Sequence, residues 1–123
     1  MSVRFNHTIV FAKDRRAAAS YFHEIFASAE PVEAGIFVKV QLEDDVFLQF
    51  AEPGVEFVPQ HYAFLVDDAT FDGIVHRLEA RGIDHWADPR MKQPGINYNH
   101  GGRGVYFRDP DGHGLEAITR PYV

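Results

Sequence analysis

Cysteine is absent from the 123-residue chain. That excludes disulfide scaffolds, thiolate metal centres, thiol nucleophiles and Cys-x-x-Cys redox chemistry. Long apolar runs are missing too: the longest, Tyr62–Val66, has five residues, against the roughly 20 a membrane-spanning helix needs. The opening residues Met1-Ser2-Val3-Arg4-Phe5 lack the apolar stretch of a secretion signal, so the expected compartment is the cytosol. Basic residues are few, with 12 Lys and Arg against 18 Asp and Glu and a net charge of −6. Apart from Arg15-Arg16 and nearby Lys13 they are scattered, which removes the basic stripe that phosphate-dominated nucleic-acid binding requires. The partners left are small molecules and other protein chains.

Apolar side chains and histidines are plentiful. The chain is 46% hydrophobic with eleven Phe, enough for one cross-link-free core at a length that fits a single domain. Seven histidines have to be sorted by position.

An internal repeat does the sorting. Asn6-His7-Thr8-Ile9-Val10-Phe11-Ala12-Lys13-Asp14 aligns with Gln60-His61-Tyr62-Ala63-Phe64-Leu65-Val66-Asp67-Asp68. In both copies a His opens an apolar strand, and seven residues later Asp14 or Asp68 stands where a helix N-cap is wanted. The first helix, Arg15–Ala27, carries Ala18, Tyr21, Phe22, Ile25 and Phe26 at helical spacing. The second, Ala69–Arg81, carries Phe71, Ile74, Val75 and Leu78, with Gly82 as its stop. Inside the helices the copies are offset by one residue. Three short strands follow each helix: Pro31–Glu33, Ile36–Leu42 and Val46–Ala51, then Ile83–Trp86, Gly104–Arg108 and Gly114–Arg120. The Asp109-Pro110-Asp111-Gly112 turn joins the last two. The reading is an α+β domain over 1–123, built from βαβββ modules at 1–53 and 60–123 with a linker at 54–59. Asp88–Gly102 is a long inserted loop, and loops of that length in small domains often carry function.

Strand alternation groups His7 with Ile9 and Phe11, His61 with Ala63 and Leu65, Gln49 with Phe47, and Glu116 with Ile118. Isolated, each of these is an ordinary hydrogen-bonded strand residue. Repeated strands that each begin with His, and a Glu116 placed where the first copy has Gln49, suggest two imidazoles and a carboxylate around a divalent metal. Iron, manganese, nickel and zinc all suit such a set.

His7, His61 and the segment Val105-Tyr106-Phe107-Arg108-Asp109-Pro110-Asp111-Gly112-His113-Gly114-Leu115-Glu116 together resemble the vicinal oxygen chelate superfamily over Phe5 to Arg120. That group spans glyoxalase I, extradiol dioxygenases, fosfomycin thiol transferases, methylmalonyl-CoA epimerase and bleomycin-binding resistance proteins. The resemblance implies paired βαβββ modules forming a U-shaped metal-binding cleft, with His7, His61 and Glu116 on the ligand strands. Gln49 departs from the pattern: glyoxalase I-like members carry a Glu there, and an amide cannot ionise to serve as a base. Gln49 is therefore expected as a weak neutral ligand or a hydrogen-bonding neighbour of the metal. Ile9 stands where the transferases carry a functional Thr, whereas the metal-free bleomycin binders generally lack the triad.

Tyr98, His100 and Arg103 flank Gly101-Gly102 at the end of the long loop. The two rings are candidate acid–base or orienting groups, Arg103 a candidate holder of an anionic substrate, and Tyr106 a candidate cleft phenol. Each also has an ordinary reading as a turn or core residue. His113 reads as a turn residue, and His23 and His76 as surface positions on helices. The expected function is a metal-dependent enzyme on a small oxygen-chelating substrate, most like extradiol dioxygenases or thiol transferases. A non-catalytic antibiotic-binding resistance protein and a glyoxalase I-like lyase or isomerase are the alternatives. A homodimer is expected, because each sheet has a second face to cover, with modules paired within one chain or exchanged between two.

Overall fold

The computed structural model describes residues 2–122, in two compact units, Met1–Val58 and Pro59–Val123. The first unit runs β1 (His7–Phe11), α1 (Arg15–Phe26), β2 (Val32–Ala34), β3 (Phe37–Gln41) and β4 (Phe47–Ala51). Its sheet has the order β1-β4-β3-β2, with β1 and β4 parallel and the other pairs antiparallel. Asp14 starts α1, its carboxylate accepting from the backbone N–H groups of Arg16 and Ala17, donors that the first helical turn leaves unpaired. Ala27, in the left-handed region at φ 53°, ends it. The helix buries Ala18, Ala19, Phe22, Ile25 and Phe26, and the even-numbered strand residues Val10, Val38, Val40, Leu48 and Phe50 are buried with them. Tyr21, expected in this stripe, is only half-buried.

The second unit repeats the plan with β5 (His61–Leu65), α2 (Asp68–Ala80), β6 (His85–Trp86), β7 (Gly104–Arg108) and β8 (Gly114–Ile118). Its sheet order is β5-β8-β7-β6, again with the outer pair β5 and β8 parallel. The α+β class and the βαβββ plan of each unit are thus as expected. One detail is corrected. The N-cap of α2 is Asp67, which accepts from Thr70 N–H at 2.8 Å, while Asp68 is the first helical residue. Capping one residue earlier accounts for the offset between the copies. Phe71, Ile74 and Leu78 of α2 are fully buried, as are Val105, Phe107 and Ala117 of the sheet.

The long loop is firmly held. Asp88 accepts from the N–H groups of Lys92 and Gln93, Asn97 donates to the Ala87 carbonyl, and Asn97 and Gly104 exchange backbone bonds. In each sheet the helix covers one face only. The other face mixes apolar side chains, Ile9 and Phe47 in the first unit and Leu65 in the second, with the polar ones, His7, Lys39 and Gln49 in the first and His61, Tyr106 and Glu116 in the second.

The cap assignment predicts that Asp67→Ala lowers stability by about 1 kcal/mol through the lost Thr70 N–H bond and accelerates hydrogen exchange at that amide. Asp68→Ala, which loses a first-turn charge and the exposed Arg103 pair, leaves exchange at Thr70 unchanged. Urea unfolding and hydrogen exchange of the two variants side by side measure the difference.

Candidate metal centre

The parallel pairing of β5 with β8 sets the geometry of the second unit. It places His61 opposite Gly114 and Ala63 opposite Glu116, so the imidazole and the carboxylate are diagonal neighbours on the open face. His61 Nε2 and Glu116 Oε1 lie 2.9 Å apart, with the imidazole about half exposed (51%) and the carboxylate buried (3%). Gly114 makes room for the ring, since a Cβ there would stand 3.3 Å from His61 Nδ1.

The donor chemistry fits a divalent ion. Two ligands each about 2.1 Å from one ion and at a right angle lie about 3.0 Å apart, close to the 2.9 Å between His61 Nε2 and Glu116 Oε1. A buried carboxylate is also costly without a cationic or hydrogen-bonding partner. In the absence of an ion, His61 donates from Nε2 to Glu116, so taking up a metal requires that proton to leave.

The first unit has the equivalent register. His7 stands opposite Phe47 and Ile9 opposite Gln49. The His7 ring stacks on Phe47, with centroids 4.9 Å apart and planes 10° from parallel. Its Nδ1 donates to the Asn6 side-chain oxygen at 2.7 Å, which leaves the lone pair on Nε2, the tautomer a metal-ligating histidine needs. Gln49 is half-buried on the same face, and its Cα pairs with those of Ile9 and Lys39. Within either unit, among the described residues, no three His, Asp or Glu side chains gather as a metal-holding group.

Around Glu116 the second unit adds two phenols. The Tyr122 hydroxyl donates to Glu116 Oε2, and the Tyr106 and Tyr122 oxygens are 3.2 Å apart. Tyr106 lies opposite Glu116 on β7 and tilts toward the His61 ring at 6.1 Å. Burial pushes the Tyr106 phenol far up, and the Tyr122 hydroxyl and Glu116 add to the shift. Burial and the Glu116 carboxylate raise Tyr122 as well. Both phenols therefore keep their protons at neutral pH.

The loop candidates separate. His100 reaches this cluster through Tyr122, with ring centroids 4.4 Å apart. Tyr98 is 71% exposed. Arg103 is corrected: its guanidinium bonds Asp72 at 2.6 Å and Asp68 at 3.1 Å and lies over the Phe71 ring, on the α2 side of the sheet. Two carboxylates already occupy the charge that was assigned to an anionic substrate. His113 is fully buried and accepts from Gln60 N–H through Nδ1 at 2.8 Å, while Gly114 N–H donates to the Gln60 carbonyl. It thereby fixes the residue before His61. Sequence reasoning missed Tyr122, which follows the last strand after Pro121 and belongs to no periodic pattern. It also missed Asn6, whose adjacency to His7 was the available signal.

The two-sheet plan, the His-bearing strands and the Asp-Pro-Asp-Gly turn define a class, and the chain belongs to the vicinal oxygen chelate superfamily. Among solved structures it is similar to oxidase ChaP-H1, at 53% identity over 98% of both chains with a TM-score of 0.95. It is likewise similar to oxidase ChaP-H2, at 45% identity over 99% of this chain and 97% of that one, TM-score 0.93. Among curated proteins, glutathione transferase FosA of Serratia marcescens is 28% identical over 90% of this chain and 77% of its own length. No family profile matches the chain. These relatives are enzymes by name.

The buried His113 contact predicts that His113→Ala costs at least about 2 kcal/mol, because it opens a cavity and leaves the Gln60 N–H unpaired. Hydrogen exchange at the Gln60 amide should accelerate along with the loss in denaturant stability.

Proposed function

We propose that the chain is a divalent-metal-dependent oxidative enzyme acting on a small substrate with adjacent oxygen atoms, with His7, His61 and Glu116 as protein ligands. The observation that carries the metal is the His61–Glu116 pair, an imidazole nitrogen and a buried carboxylate oxygen 2.9 Å apart. The oxidative class draws its support from the likeness to ChaP-H1 and ChaP-H2, both named oxidases. When bound, a metal of this kind supplies Lewis acidity to substrate oxygens and, if it is iron, a binding position for dioxygen.

The protein's own contributions follow from its side chains. Asn6 sets the tautomer of His7. Gly114 leaves the His61 ring its place, and His113 fixes the backbone beside it. Gln49, a neutral amide, offers a carbonyl oxygen but no base, which argues against two-carboxylate proton shuttling of the glyoxalase I kind. The exposed Ile9 gives the same face apolar surface for a substrate ring, and Lys39, whose ammonium lies over the Phe47 ring, adds a positive charge there. A second reading, glutathione transfer, is favoured by the likeness to FosA and opposed by Ile9 in place of the transferases' Thr.

No helix among the described residues is long and apolar enough to cross a membrane, and we place the enzyme in the cytosol. We also propose a homodimer, because Phe11 and Leu65 are left exposed on the sheet faces that no helix covers; light scattering at micromolar concentration should return twice the chain mass. Metal analysis of natively purified protein should find about one iron, manganese, nickel or zinc per chain. His7→Ala, His61→Ala and Glu116→Ala should each cut that occupancy at least about tenfold. The two imidazole variants should retain the fold, because both rings are exposed. Oxygen uptake with catechols and hydroxyquinones, set beside fosfomycin with glutathione, decides between the readings. A native protein free of metal, or one active only in thiol transfer, rejects the proposal.

A further inference from the structure

The residues after β8 are not a loose end. Thr119 continues the β7–β8 ladder, its N–H donating to the Arg103 carbonyl while its Oγ1 accepts from Arg103 N–H at 2.9 Å. The segment then crosses Gly102 so closely that a Cβ there would stand 2.6 Å from both Thr119 Oγ1 and Arg120 Cγ. That path delivers Tyr122 to Glu116, with its ring against His100.

The hydrogen-bond inventory fixes the direction of each proton. A carboxylate only accepts, so Tyr122 donates to Glu116 Oε2. The single Tyr122 proton is then used, and its oxygen accepts from Tyr106, which stands opposite Glu116 on the neighbouring strand. The two carboxylate oxygens therefore have separate tasks. Oε2 is held by a chain of two phenols, and Oε1 faces His61 Nε2.

We propose that Tyr122 is a positioning residue that holds Glu116 by Oε2, so that the carboxylate offers the metal one oxygen, Oε1, in register with His61 Nε2. This rests on the metal reading above. Without the Tyr122 hydroxyl, Oε2 is released, and the carboxylate can rotate or bind through both oxygens. Partners of this kind typically alter metal affinity by about 10- to 100-fold.

The test uses cobalt(II) on metal-stripped protein, with affinity and visible absorption as readouts in place of turnover. Tyr122→Phe removes only the hydroxyl, whereas Tyr122→Ala also removes the ring that meets His100. Both should weaken cobalt binding by about tenfold or more, and both should shift the absorption bands, because the carboxylate binds differently. A Tyr122→Phe protein with unsubstituted affinity and bands overturns the proposal, even if Tyr122→Ala is impaired, since ring packing is then the whole effect. Tighter binding by Tyr122→Phe also overturns it, by showing that the phenol competes with the metal. A metal-free arm compares melting of Tyr122→Phe, Glu116→Gln and the double variant. Non-additive losses are expected, and additive losses overturn the contact itself. If the unsubstituted chain takes up no cobalt, the metal reading falls and this one with it; uptake left unchanged by Tyr122→Phe rejects this one alone.

Discussion

The parallel pairing of the first and last strands of each module is the constraint on which the site depends. In the second unit it joins β5 to β8, placing His61 opposite Gly114 and Glu116 opposite Ala63. A slip of one residue would send Glu116 to the helix-covered side among Phe71, Ile74 and Leu78, where an unpaired carboxylate is prohibitively costly. The register is held from both sides. Buried Leu115 and Ala117 demand the helix face, and His113 ties the backbone of Gln60 to the turn that precedes β8.

The two units use the same strand plan with different chemistry. At the position of His61 over Gly114, the first unit has His7 stacked on Phe47. At the position of Glu116 it has Gln49. The first module thus presents an imidazole stacked on an aromatic ring that Lys39 also covers, and the second an imidazole beside an ionisable carboxylate. The acidic group is confined to the second module's face, while the first module's face carries a cation, Lys39. Arg103 illustrates the cost of reading a loop by side-chain type alone. Its strand phase points it toward α2, and Asp68 and Asp72 meet it there.

Much of the fold was legible in the sequence, because helical and strand periodicities are local signals. The stripe Phe71, Ile74, Leu78 fixed α2 and its buried face, and the Asp-Pro-Asp-Gly turn fixed the β7–β8 hairpin. The ends were less legible. Asp67 and Asp68 are both competent caps, and only the backbone angles select between them. Of the candidate ligands, His7, His61 and Glu116 are legible because a repeat marks equivalent positions, and the structure brings together His61 and Glu116. Tyr122 escaped because it lies beyond the last periodic residue.

The sequence by itself determined the alternation that puts His61 and Glu116 on the strand face opposite Phe64 and Leu115, and the repeat that makes two such faces, while it left Tyr106 open between cleft and core. It also determined that none of these 123 residues supplies a thiol, since there is no cysteine among them. Only the tertiary structure decided that a carboxylate 55 residues after His61 stands 2.9 Å from it, that Arg103 is already paired, and that the Tyr122 hydroxyl rests on Glu116. The reason is physical. Periodicity specifies which face a side chain takes, whereas contact between distant residues depends on strand order and register, which are settled by the packing of the whole sheet against its helix.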